Sequence, residues 1–245
     1  MDMTTCYLTI DDSPSCHTDD MIDFLIERNI PALLFCRGDL LRDNPKPIIR
    51  AIQHGFMIGN HSFSHTPYGD FTFDQAIEDI EQCDNEIEKA YTAASIPRPG
   101  KYFRFPYLDR GDGDRSERHF DDLHNTDINE NPKIQKLQEY LKHNGYTQPF
   151  KTTDHPAYKN TSVRHARDCL MTYSSYDWML TSRHIGQWDY KNLDDLKNRI
   201  DDSDIKDHHG NIFIFHDQDE TFETFKSLID HMILKGYEFL SYDNN

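Results

Sequence analysis

Short apolar runs alternate with longer amphipathic stretches along most of this chain, and that rhythm restricts the fold more than any single residue. Cys6–Ile10, Ala32–Cys36, Phe56–Gly59, Lys101–Phe105 and Asn211–Phe215 have the length and composition of strands. Between them, His17–Asn29 sets Met21, Phe24, Leu25 and Ile30 on one helical face. Lys46–Gly55 has Pro47 near its start and Gly55 at its stop, as a helix should. Phe73–Ala94 brings Ile77, Ile80, Cys83, Ile87 and Tyr91 roughly into phase. Helices over 132–144, 163–172, 193–200 and 221–235 and strands over 146–150 and 237–242 continue the pattern. Strand, helix, strand predicts an α/β fold: a mainly parallel sheet with helices outside it, open or closed into a barrel.

In such folds the reacting groups gather at the carboxyl ends of the strands. Four clusters fall there: Thr9-Ile10-Asp11-Asp12, His61-Ser62-Phe63-Ser64-His65, Arg104-Phe105-Pro106-Tyr107 and Ile212-Phe213-Ile214-Phe215-His216-Asp217. Tyr176-Asp177-Trp178 lies between the last two. Asp11-Asp12 before Ser13-Pro14 reads as a turn and helix cap, or as two carboxylates that divide labour, one on a cation and one taking a proton. His61 and His65 face the same way if their segment turns helically. With one carboxylate they make a two-histidine, one-carboxylate set that leaves positions open for water and substrate. Zinc is the default ion for that set, and cobalt, manganese or iron could also occupy it. The kit as a whole suits metal-assisted hydrolysis.

Composition narrows the partners. The chain has 245 residues and a formal charge of −17 from 26 basic and 43 acidic residues. Such a field repels a phosphate backbone, so nucleic acid is excluded as a partner, and anionic membrane surfaces are disfavoured. The five cysteines, Cys6, Cys16, Cys36, Cys83 and Cys169, are widely spaced and contain no CxxC pair. Neither a disulfide framework nor a cysteine zinc site is expected. No basic start precedes an apolar segment, and no apolar run approaches the ~20 residues of a membrane span. The sequence therefore predicts a cytoplasmic protein with no integral membrane segment. No linker divides it, so residues 1–245 read as a single domain, with an acidic insertion around 109–160 whose 114–131 part looks like an exposed loop.

Taken in order, the five clusters resemble the motifs of the polysaccharide deacetylases, the NodB-homology domain of carbohydrate esterase family 4. The resemblance spans residues 9–217 and implies a distorted (β/α) barrel of about seven or eight strands. It also implies a metal-dependent deacetylase acting on carbon–nitrogen bonds other than peptide bonds. The substrate it implies is an N-acetylated sugar, oligosaccharide or lipid-linked glycan, with O-acetyl groups a further target. Carried over by position, Asp11 would be the general base and Asp12, His61 and His65 the metal ligands. Arg104 would orient the base, and Tyr107 would offer its backbone N–H to the oxyanion. Asp177 would tune the charge network, Trp178 would wall the groove, and His216 would be the general acid. A divalent ion there would polarise the acetamide carbonyl and acidify the attacking water, Asp11 would take the proton, and His216 would protonate the leaving amine.

Two departures stand out. Ser13 takes the place where the family usually has glycine, and the stretch from Leu108 to Tyr173 is longer and more acidic than minimal members have. His119, His124, His155, His165, His208 and His209 read as solvated surface. The competing readings are a hydrolase of non-sugar linear or cyclic amides on the same fold, and a non-catalytic carbohydrate-binding relative. A non-haem iron oxygenase shares the ligand set, but its sites sit on all-β barrels, which this alternation opposes.

Overall fold

β1 (Thr4–Ser13) carries the sheet because it is long enough to pair with three other strands. The computed structural model describes residues 4–113, 128–129, 131–150, 158–159, 161–203 and 208–242. The start of β1 pairs with β6 (Tyr237–Phe239) and its end with β2 (Leu33–Cys36), while β5 (Asn211–His216) runs beside Cys6 to Asp11. β3 (Met57–Asn60) lies beyond β2 and β4 (Tyr173–Ser174) beyond β5, giving the order β3-β2-β1-β5-β4 with β6 also on β1. Every pairing is parallel, as the alternation of strand and helix requires.

The two ends of this sheet are joined by irregular chain. The Asn60 N–H donates to Tyr102 O, and the Arg104 N–H donates back to Asn60 O. Farther round, Cys169 N–H donates to Phe103 O and Thr172 N–H to Ile212 O. The wall thus passes from β3 through 102–104 and 169–172 to β5, closing a distorted barrel. Six strands are regular among the described residues, fewer than the expected seven or eight. Lys101–Phe105 forms no full strand because it changes partner within three residues: Lys101 bridges Tyr146 and Phe103 bridges Asn60. The expected strand over 146–150 is reduced to that one bridge.

Helices α1 (Thr18–Glu27), α2 (Gly38–Asp43), α3 (Lys46–Gln53), α4 (Phe73–Ala94), α5 (Pro132–His143), α6 (Leu193–Asp202) and α7 (Phe222–Leu234) surround the sheet. Thr72 starts α4 with a capping box to Gln75, and Asn192 starts α6 with one to Asp195. α2 escaped the sequence reading because six residues are too short to show a period. The expected helix over 163–172 is only a 3-10 turn, Ser162–His165. Its later backbone is consumed by the closure, where Cys169 pairs with Phe103 instead of with its own chain. The last strand stops at Phe239, and Tyr242 instead sends its hydroxyl to Leu8 O.

Alternation along β2 divides the core. Leu34 and Cys36 face a helix-covered layer with Ile10, Ile48 and Ile229, whereas Leu33 and Phe35 point to the other side with Leu170 and Ile212. A third cluster lies where α4 and α5 meet, with Leu137 and Leu141 packed on Tyr68, Phe103 and Phe105. α5 belongs to the stretch expected as an insertion, yet its apolar side is fully buried. Most of the expected 114–131 loop lies outside the described residues, as do His119, His124 and His155; His165 and His209 are exposed, and His208 is half-buried. Leu137→Ala should cost about 2–5 kcal/mol by urea denaturation. The control Leu234→Ala, at a side 81% exposed, should change stability by less than about 0.5 kcal/mol.

Candidate active site

Adjacent residues of a strand point to opposite faces, so Asp11 and Asp12 could not serve one site on a regular β1. The β1–β2 register breaks there: Ile10 pairs with Leu34 and Ser13 with Cys36, so one extra residue is accommodated on β1. Asp12 takes φ +70°, a left-handed conformation that aspartate tolerates better than most residues. As a result both carboxylates approach the same imidazole, with Asp11 Oδ2 3.8 Å and Asp12 Oδ1 3.7 Å from His61 Nε2. Ser13 is not among the positive-φ residues, so a side chain at this position meets no left-handed strain.

The two histidines are brought together by an irregular turn, not by the helical turn that their spacing suggested. Ser62 and His65 have φ +67° and +57°. Asn60 Oδ1 accepts the Ser62 N–H, and Ser62 Oγ accepts the His65 N–H, each at 2.8 Å. Asp79 on α4 receives the Phe63 and Ser64 N–H groups at 2.9 and 3.0 Å and the Tyr68 hydroxyl at 3.1 Å. His61 Nδ1 lies 2.9 Å from Arg104 O, which assigns its proton to Nδ1 and leaves the Nε2 lone pair facing the carboxylates. Burial drives the His61 pKa down to about 4 against the upward pull of Asp11 and Asp12, so the ring is neutral at physiological pH.

Asp12, His61 and His65 present ligand atoms that all lie within 4.8 Å of one another. Asp12 Oδ1 is buried without a hydrogen bond, 3.0 Å from His65 Nε2, while Gln218 Nε2 donates to Oδ2 at 2.7 Å. An orphaned carboxylate oxygen facing two imidazole nitrogens fits a divalent cation, which satisfies all three groups at once. Burial raises the Asp12 pKa, but the charges of His65 and then His61 and His216 outweigh it and hold the carboxyl well below its usual range. A deprotonated carboxylate and a neutral imidazole are what a metal requires.

Arg104 is fully buried behind Asp11. Its Nη1 donates to Asp11 Oδ1 at 2.7 Å and Thr9 Oγ1 at 2.8 Å, its Nη2 donates to Leu170 O at 3.2 Å, and its guanidinium stacks 4.3 Å over Phe35. Beyond it, Tyr107 and Leu108 both adopt positive φ, at +56° and +57°, and Tyr107 is half exposed over His65, with ring centroids 4.7 Å apart. This turn is pinned on its far side. Asp109 accepts the N–H groups of Gly69, Gly111 and Gly113, and Arg110 forms a buried pair with Asp168 at 2.9 Å.

His216 is the register partner of Asp11 across β1 and β5. Asp177, fully buried, accepts both the His216 backbone N–H at 2.8 Å and its Nδ1 at 2.7 Å. Burial alone would lower the His216 pKa; the charge and hydrogen bond of Asp177, with help from Asp12 and Asp11, instead raise it to about 9. A cleft of about 410 Å³ runs over this constellation and is lined by Asp11, Asp12, His61, His65, Tyr107, Trp178 and His216. Arg104 and Asp177 stand behind that lining, so all nine residues singled out from the sequence converge on one place. Sequence reasoning missed Asp79 and Gln218, because nothing in an isolated helix or loop marks which polar side chain will reach a distant motif. It also missed Arg37, Arg183 and His184, which line the same cleft.

The family model for polysaccharide deacetylase matches residues 1–124, half of the sequence. The chain belongs to the polysaccharide deacetylase family. Among curated polysaccharide deacetylases and their relatives, a chitooligosaccharide deacetylase of Rhizobium leguminosarum bv. trifolii is 32% identical over 81 residues, 33% of this chain and 32% of that one. The peptidoglycan-N-acetylmuramic acid deacetylase PdaA of Bacillus subtilis is 31% identical over 86 residues, 35% of this chain and 33% of its own. The chain thus spans about a third of these relatives' length. The fold of BA3943, a carbohydrate esterase family 4 pseudoenzyme of Bacillus anthracis, superposes with a TM-score of 0.61 at 15% identity, over 97% of this chain and 63% of that one. Among the described residues, no helix of this family member is long and apolar enough to cross a membrane.

The pairing of His216 with Asp177 has a measurable consequence. A folded pKa of about 9, above the ordinary value of 6.5, contributes stability that is complete below pH 6.5 and lost as pH rises through 9. Metal-free protein should lose up to about 3 kcal/mol of unfolding free energy between pH 6 and pH 9.5. His216→Gln should flatten that part of the profile in urea titrations, and an unchanged slope would rule the pairing out.

Proposed function

We propose that this protein is a metal-dependent hydrolase that removes N-acetyl groups from a carbohydrate. The observation that carries the reading is the division of two adjacent carboxylates between different partners: Asp11 on the buried Arg104, Asp12 beside two imidazoles. A deacetylase needs such a division, one group to move a proton and one to hold an ion. The curated relatives are named as deacetylases of chitooligosaccharide and peptidoglycan, which supports an acetylated sugar as substrate.

Asp12, His61 and His65 would hold a divalent cation, zinc by the default for this donor set, which supplies a Lewis acid for the acetamide carbonyl and acidifies the water beside it. Arg104 holds Asp11 through Oδ1, leaving Oδ2 on the side of the imidazoles, where it would take the proton from the attacking water. The backbone N–H of Tyr107, held in its left-handed turn, would donate to the developing oxyanion. Asp177 fixes His216 through Nδ1, so the imidazolium would present Nε2–H to the amine leaving group. Protonating that amine breaks the C–N bond and releases acetate. Trp178, half-buried in the cleft wall, would stack against a sugar ring.

Asp11→Asn should lower kcat for acetate release from N-acetylglucosamine oligomers by at least about 100-fold while zinc affinity by calorimetry stays within about threefold. His61→Ala should lose both turnover and zinc. Wild-type turnover in Asp11→Asn would refute the base assignment. Hydrolysis of small linear or cyclic amides with no acetate released from any acetylated sugar, with zinc or cobalt supplied, would refute the carbohydrate reading.

A further inference from the structure

The charges along the cleft are not balanced group for group. Its two lining carboxylates are already engaged, Asp11 by Arg104 from behind and Asp12 by His65, His61 and Gln218. Two arginines line the same cleft without meeting either carboxylate in an ion pair. Arg37 leads into α2, and Asp39 holds its Nε and Nη2 at 3.2 and 2.8 Å. Asp39 does not line the cleft, so it tethers Arg37 from the rear and leaves Nη1 outside that pair. Arg183 makes no side-chain hydrogen bond or ion pair with the described residues. In a chain with 43 acidic and 26 basic residues, two cleft arginines run against the overall bias.

The backbone that bears Arg183 is fixed. Ser182 donates both its N–H and its hydroxyl to Glu220, each at 2.6 Å, which commits the nearest acid in sequence contact to the turn itself. Thr181 Oγ1 lies 3.0 Å from His184 Nδ1, and the Gln187 side chain donates to Arg183 O at 2.6 Å. The His184 ring meets Trp178 edge-on at 5.0 Å, and Trp188 does the same at 5.5 Å. Trp178 is thus a braced wall, with Arg183 one residue from its brace. A ring laid on Trp178 would carry its substituents toward an arginine that no acid among the described residues pairs with.

We propose that the cleft selects an anionic glycan, and that Arg183 and Arg37 bind a carboxylate or phosphate carried by the acetylated sugar or by the ring next to it. This rests on the deacetylase reading of the same site and names its substrate class. Guanidinium is the side chain best matched to either anion, because its planar donors bind two oxygens together. The protein's overall charge would otherwise repel such a substrate, so local cations at the mouth are needed to admit it.

The test compares zinc-loaded protein on acetylated glycans of matched length that are neutral, carboxylated or phosphorylated. The expected result is a kcat/KM at least about tenfold higher for one or both anionic forms, weakening with added salt. Arg183→Gln and Arg37→Gln should each reduce the ratio of anionic to neutral kcat/KM about tenfold, through KM. Preference for the carboxylated over the phosphorylated glycan, or the reverse, identifies the anion. Equal efficiency on neutral and anionic glycans, with a ratio that neither substitution moves, would overturn the proposal. Tryptophan-fluorescence titration with the same glycans separates the two readings. Anion-selective binding that Arg183→Gln abolishes, without acetate release, would sink the deacetylase reading and leave this one standing.

Discussion

A guanidinium with no solvent exposure is the constraint on which the rest of this structure depends. Burying Arg104 unpaired would cost several kcal/mol, so its charge must find partners within the fold. They are supplied from three parts of the chain: Thr9 and Asp11 on β1, Phe35 on β2, and Leu170 O in the closing segment. Its own carbonyl then accepts His61. One residue therefore joins the barrel wall where regular strand pairing fails, holds the Asp11 carboxylate in place, and sets the tautomer of a neighbouring imidazole. Stability and chemistry share the same hydrogen bonds there.

The buried acids of the site show how environment separates chemically identical groups. Asp11 and Asp12 are neighbours in sequence, yet one faces a permanent cation and the other two neutralisable imidazoles. Asp177 is equally buried but engages His216 and pushes that ring toward its protonated form. Asp217, next in sequence, takes hydroxyl hydrogen bonds from Ser15 at 2.5 Å and Thr18 at 2.6 Å and helps tie the start of α1 to the end of β5. Burial pushes its pKa up and those hydroxyls pull it back, with burial prevailing. Four aspartates within reach of one cleft thus have four different duties.

Much of this was legible in the sequence, for definite reasons. β1, β2, β3 and β5 were visible because they are short apolar runs, and α4 because twenty-two residues hold one phase. The nine site residues were visible because strand ends in α/β folds are where chemistry collects, and motif order added the rest. The bulge at Asp11–Asp12 was not, since no composition rule marks a left-handed aspartate. Lys101–Phe105 and 163–172 were misjudged because their backbones serve long-range closure, which local propensity does not encode. The partners Asp79, Gln218 and Arg183 reach the site from elements with no motif of their own.

The register of β1 with β5 has a consequence beyond holding the sheet. Because Asp11 and His216 are paired positions on adjacent strands, the span between them is fixed by a backbone ladder rather than by loop conformation. The wall carrying Trp178, Arg183 and His184 belongs instead to turns that only border that ladder. The spacing of Asp11 and His216 and the shape of the cleft wall are thus set by separate pieces of chain. Such an arrangement lets the rim be rewritten while Asp11 and His216 keep their spacing.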